Sequence, residues 1–187
     1  IVSYGENINA GKDAGSIVIE GVNNYTGQKT VYFTINPQSI AGATVNVNRS
    51  YTYNGKAWEP QASDLTVSVN GRQLSSGDYT ITRYDNNTNA GTATVTVAGV
   101  DYTGTMTGKF TIAAKSLTDE SITVDYESKV SYDEQKPSES NVSVYDGTRE
   151  LKKDTDYTVT YENNAVETTD AQIFIVGKGN YKDQIER

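Results

Sequence analysis

The stretch Leu74–Asn87 reads LSSGDYTITRYDNN, and Leu151–Asn164 reads LKKDTDYTVTYENN. The two leucines stand 77 positions apart, and so do the two asparagine pairs. Each copy holds a turn, an Asp-Tyr step and a run in which bulky and threonine residues alternate. Period-two alternation of this kind marks a half-buried strand. Working outward, LTVSVNG (Leu65–Gly71) pairs with NVSVYDG (Asn141–Gly147), and YNGKAWEP (Tyr53–Pro60) with YDEQKP (Tyr132–Pro137). Downstream, GVDYTG (Gly99–Gly104) pairs with GKGNYKD (Gly177–Asp183). A third copy of the downstream half comes first in the chain. YGENINAG (Tyr4–Gly11) matches YDNNTNAG (Tyr84–Gly91), and GVNNYTG (Gly21–Gly27) matches GVDYTG. Both are followed by a run ending FTI, at Phe33–Ile35 and Phe110–Ile112.

Self-similarity at this period places one supersecondary unit in each repeat. Residues 1–40 then read as the back half of a unit, 41–117 as a complete unit, and 118–187 as a unit lacking its final strand, because no FTI follows Tyr181. The joints, Pro37–Ala43 and Ala113–Ser121, are the expected bends. Within the central unit, Leu65, Val67 and Val69 share one face, as do Ala93, Val95 and Val97, while Phe110 and Ile112 point inward. Asn54-Gly55, Asn70-Gly71, Ser76-Gly77 and Asp146-Gly147 punctuate the strands with residues that accept positive φ. Six or seven short strands per unit make a small antiparallel sandwich. Tyr79 and Tyr157 each follow a leucine and a turn, a pattern that resembles the tyrosine corner of Greek-key sandwiches and implies that each phenol hydroxyl bonds a backbone group across the corner. The central copy carries one more residue between its tyrosine and its asparagine pair than the third copy does, which predicts a β-bulge.

Composition narrows the chemistry. The 187 residues include no cysteine and no histidine, which excludes disulfides, thiol nucleophiles, Cys/His zinc sites and histidine-dependent triads. Fourteen tyrosines stand against four leucines (Leu65, Leu74, Leu117, Leu151), a balance that favours strands over helices. A net charge of −8 without a basic cluster argues against nucleic acid and anionic membrane surfaces as partners. No apolar run is long enough for membrane insertion as a helix.

The string YNGK…P…TVSVNG…L..GDYT.T…NN.NAGTATV.V.G…YTG…FTI resembles the tandem immunoglobulin-like repeats of bacterial, Gram-positive cell-surface and adhesin proteins. The third unit departs from it where AVETTDA (Ala165–Ala171) replaces the NAG turn. The resemblance implies an all-β chain of tandem antiparallel Ig-like sandwich repeats, extracellular or on the cell wall surface, that serves as a structural stalk or adhesive module and presents a functional domain away from the wall. Its partners would be other repeats of the same polypeptide, with a host glycan or protein as an alternative. A third reading is a subunit that assembles by strand complementation. The resemblance implies no catalytic residue, cofactor or metal, so a non-enzyme is expected.

Trp58, the single tryptophan, is the one candidate for ligand contact, as a platform for sugars; packing is the favoured reading, with Gln135 or Lys136 near that place in the third unit. Asp85–Asn89 fits the first half of a calcium loop but lacks its glycine and its closing glutamate, so a turn with left-handed asparagine is favoured. Tyr25, Tyr102 and Tyr181 recur in like turns, which predicts a shared structural task. Glu59 and Asp64 read as surface carboxylates. Lys56 and Lys109 are candidate donors for the Lys–Asn cross-link found in some surface sandwiches, with exposed lysines the favoured reading.

Overall fold

A computed structural model describes residues 3–187; the first two positions of the opening half-unit lie outside the described residues. The chain is all-β. The opening segment forms β1 (Ser3–Tyr4), β2 (Gly11–Glu20) and β3 (Gln28–Ile35). There follow β4 (Gln38–Ser39), β5 (Thr44–Val47), β6 (Tyr51–Thr52), β7 (Leu65–Val69), β8 (Arg72–Gln73), β9 (Tyr79–Asp85), β10 (Gly91–Gly99), β11 (Tyr102–Thr103) and β12 (Thr105–Ala113). The last part of the chain holds β13 (Lys115–Ser116), β14 (Ile122–Tyr126), β15 (Val142–Asp146), β16 (Arg149–Glu150), β17 (Tyr157–Glu162), β18 (Gln172–Gly177), β19 (Tyr181–Lys182) and β20 (Gln184–Glu186). One 3₁₀ turn, Ala62–Asp64, leads into β7.

Packing groups these strands into two compact units. The first holds residues 3–49, Glu59–Asp85 and Thr94–Phe110; the second holds Ser50–Trp58, Asn86–Ala93 and Thr111–Arg187. The repeat boundaries at 40/41 and 117/118 are boundaries of sequence, whereas packing divides the chain within β10 and β12.

In the first unit, β1-β2-β3 make an antiparallel sheet with β3 at one edge. A larger sheet runs β8-β7-β5-β12-β10-β9. Its pairs β5–β7, β7–β8 and β9–β10 are antiparallel, whereas β5 and β6 both pair in parallel with β12, Lys109 opposite Asn46 and Ile112 opposite Tyr51. The alternation read from sequence sets its core. In this unit Val67, Val95 and Val97 are buried to 1% exposure or less, with Leu65, Val69 and Phe110 close behind; in the second unit Ala93 and Ile112 are buried to the same degree. Asn70 and Gly71, at φ 50° and 80°, close β7 on β8 in a two-residue turn that needs positive φ at both positions. The opening sheet is less well covered. Ile19, Val31, Tyr32 and Phe33 are exposed, and the Phe33 ring lies on the bare Cα of Gly15.

The expected bulge is present. Thr96 pairs with Arg83 but Val97 pairs with Ile81, so Thr82 is the extra residue of β9. The matching ladder β17–β18 runs from Tyr157 to Glu162 without a shift.

In the second unit, β14-β15-β16 and β17-β18-β20 are antiparallel sheets whose buried residues include Val144, Ile173, Ile175 and Ile185. β20 pairs antiparallel with β18, in the place that β12 takes beside β10. Both joints hold short paired strands. β4 pairs in parallel with β11, and β13 pairs in parallel with β19. Ile40 N–H donates to Thr103 O and Leu117 N–H to Lys182 O, both at 2.9 Å. Ile40 and Leu117 are buried to 0% and 1% exposure. Each joint is thus the entering strand of the copy that follows, held by its apolar residue.

Candidate functional site

Three bonds recur in both copies and tie an extended segment to the tyrosine strand. Tyr79 Oη donates to Ala62 O at 3.1 Å, and Tyr84 Oη to Pro60 O at 2.8 Å. Asn87 Nδ2 donates to Trp58 O at 2.9 Å, while Trp58 N–H donates back to Asn87 O at 2.8 Å. In the third copy Tyr157 Oη reaches Val142 O at 3.3 Å, Tyr161 Oη reaches Ser140 O at 2.6 Å, and Asn164 and Ser138 exchange two bonds of 2.9 Å. The acceptors fall two residues apart because alternate carbonyls of an extended chain point the same way. Burial pushes the Tyr79, Tyr84, Tyr157 and Tyr161 phenols above their ordinary value. Tyr79 reaches 17 positions back, to the turn ahead of the β7–β8 hairpin, and Tyr157 reaches 15 positions back, to the first residue of β15.

These bonds correct the alignment of the copies. The residue in the place of Trp58 is Ser138, and the residue in the place of Pro60 is Ser140, rather than Gln135, Lys136 or Pro137. The Trp58 indole is half-buried. Its Nε1 donates to Thr52 O at 3.0 Å and its ring lies 5.0 Å from that of Tyr51.

A second cluster lies in the second unit, at the entry of the third copy. Lys115 Nζ donates to Asp146 Oδ1 at 2.6 Å and to Ser121 Oγ at 2.7 Å. Tyr181 Oη donates to Asp146 Oδ2 at 2.9 Å. Burial alone would raise the Asp146 carboxyl, but the bonds from Lys115, Tyr181 and Ser121 outweigh it and hold it below its ordinary value. The Tyr181 phenol is pushed far up, by burial first and by the Asp146 carboxylate next. The Tyr181 ring meets that of Tyr53 edge-on at 5.5 Å, and Arg149 Nη1 donates to Tyr53 Oη at 2.7 Å. Asn180 closes the group: its Oδ1 accepts from Ala90 N–H at 2.8 Å and its Nδ2 donates to Asn89 Oδ1 at 3.1 Å. Residues of the central copy and of the third are thereby clasped by charge-assisted and aromatic contacts.

The other sequence candidates fall elsewhere. Tyr25, Tyr102 and Tyr181 do not share one environment: Tyr25 is 79% exposed, Tyr102 half-buried and Tyr181 only 2% exposed. Asn86 and Asn163 take φ 54° and 57°, the left-handed turn expected of the asparagine pairs. Arg83 Nε donates to both Asp85 carboxylate oxygens at 2.8 Å. Asp64 Oδ2 accepts from Gln61 N–H at 3.0 Å and serves the turn before β7, whereas Glu59 is exposed. Lys56 and Lys109 are exposed. Among the described residues no three Asp or Glu side chains gather as metal ligands.

Sequence reasoning missed Lys115, Asp146, Arg149 and Asn180. Their only signal was position: Lys115 lies in a joint, and Arg149 stands 77 residues after Arg72. Comparison with known protein families, with curated proteins and with solved structures finds no match.

Proposed function

We propose that this chain is a structural stalk and adhesive-array module of a bacterial surface protein, built of tandem Ig-like β-sandwich repeats outside the cell, that holds a functional domain away from the wall. The observation that carries the reading is the construction of the joints. A flexible connector would leave its backbone to water; here Ile40 and Leu117 are buried and both joints are strand-paired. The clasp of Lys115, Asp146, Tyr181, Tyr53 and Arg149 adds side-chain bonds to the second joint.

The strand directions suit a load-bearing part. The central copy is entered through β5 and left through β12, and these run parallel to one another. Tension on the two ends slides the strands past each other, so their hydrogen bonds are loaded together rather than opened one by one.

Single-molecule stretching between the two termini tests this. The expected record has discrete force peaks, the complete repeat releasing roughly 20–25 nm, from about 3.4 Å per extended residue less the folded length. Extension without resolved peaks would remove the stalk reading.

A further inference from the structure

The two joints are built from matching residues, yet only one is filled. In the second unit Tyr51 and Thr52 pair in parallel with Ile112 and Ala113, and Tyr53 N–H donates to Ala113 O at 2.8 Å. That strand delivers the Tyr53 ring, 5% exposed, onto Tyr181 and beneath Arg149. In the first unit the matching residues are Ile35 and Asn36 for Ile112 and Ala113, Tyr102 for Tyr181, and Arg72 for Arg149. They line one crevice of about 320 Å³ together with Asn9 and Ala10, the counterparts of Asn89 and Ala90. No aromatic ring takes the place of Tyr53 among the described residues lining it. Beside the crevice, β3 is an edge strand with no partner on its outer side among the described residues. Its counterpart β12 is covered by β5 and β6. Val31, Tyr32 and Phe33 of β3 are accordingly exposed to 42%, 63% and 36%.

We infer that β3 and this crevice together form a docking site for one extended strand of the β5–β6 kind, the front strand of a like repeat, ending in Tyr-x-Tyr. The strand adds parallel to β3, as β5 and β6 add to β12. Its first tyrosine falls opposite Ile35. Its second donates its N–H to Asn36 O, places its ring on Tyr102 and accepts a hydrogen bond from Arg72. This is strand addition in which backbone bonds supply affinity and the tyrosine slot supplies register. The site deepens the reading of the chain as repeats in series, since its occupant is a repeat's own front strand. A second folded copy is a poor donor, because its Tyr51 and Tyr53 are each buried to 5% exposure.

The test uses the full chain and a labelled peptide copying residues 43–54, followed by fluorescence anisotropy and by hydrogen exchange of the 28–36 amides. The same peptide is also fused ahead of the chain through a Gly/Ser linker, which raises its effective concentration to the millimolar range. The expected result is one peptide per chain and at least tenfold slower exchange across β3. Both weaken about tenfold when the peptide tyrosine copying Tyr53 becomes alanine, or in Arg72→Ala, whose exposed side chain leaves the fold intact by thermal melt. Unprotected β3 amides in both formats would overturn the inference. So would protection indifferent to the tyrosine and to Arg72, or protection gained through self-association of the chain without peptide. Force peaks persisting alongside any of these results would leave the stalk reading standing.

Discussion

Asp146 shows how one side chain ties several elements together. It accepts from Lys115, Ser121 and Tyr181, residues that enter from β13, from the loop before β14 and from β19. Asp146→Ala leaves the Lys115 ammonium, largely shielded from water, with only the more distant Asp119 carboxylate at 3.7 Å. We expect a loss of about 3 kcal/mol in the third copy, at the lower end for a broken buried pair. Chemical denaturation of the variant checks this. The pH dependence has a definite sign. The folded carboxyl lies below its ordinary value, so its contribution is fully present above about pH 4 and is lost as pH falls through the folded value. Asp146→Asn should therefore flatten the acid limb of stability below pH 4, and an unchanged limb would place the effect elsewhere. Asn87 acts by hydrogen bonding alone. Asn87→Ala should cost about 1 kcal/mol by removing the bond to Trp58 O, with the tryptophan fluorescence shifting in the folded state.

At the scale of the element, β9 and β17 solve one problem in two ways. Tyr79 and Tyr84 must both reach the extended segment Trp58–Ala62, as Tyr157 and Tyr161 must reach Ser138–Val142. A spacing of four keeps two residues on one face of a regular strand, and a spacing of five does not. The bulge at Thr82 absorbs the extra residue and restores the face. Deleting Thr82 should then convert β9 to the regular pattern of β17 at a cost within about 1 kcal/mol. Deleting Val159 from β17 should turn every later residue of that strand to the wrong face and unfold the third copy. Circular dichroism melts of the two deletions distinguish the cases. The joints belong to this scale too. Leu117→Ala removes a side chain only 1% exposed and should cost about 2–5 kcal/mol, read as a lowered melting midpoint of the third copy.

For the molecule as a whole, tyrosine does work that cysteine, histidine and most leucines do elsewhere. Tyr79, Tyr84, Tyr157, Tyr161 and Tyr181 all have phenols raised by burial. Their stabilising contribution is complete below about pH 10 and is lost as pH climbs toward the folded values. The protein should hold its structure through neutral pH and unfold as pH rises past 10, with phenolate absorbance at 295 nm rising together with the loss of strand signal. Phenolate appearing well before unfolding would show that these hydroxyls are not locked in the fold.

The repeat, the all-β class, the faces of β7 and β10, the bulge and the left-handed asparagines were legible in sequence. Each rests on local physics: period-two alternation, a residue's tolerance of positive φ, or one residue too many between two matched points. The partners of the buried phenols, the match of Ser138 to Trp58, the strand-paired joints and the Lys115–Asp146–Tyr181 cluster were not. Lys115 and Asp146 lie 31 positions apart, and Tyr181 a further 35, so only the crossing of strands brings them within hydrogen-bond reach. Local conformation is encoded residue by residue, whereas the closing of a joint or the filling of a tyrosine slot depends on which strand edge meets which, and that is settled only when the sheets pack.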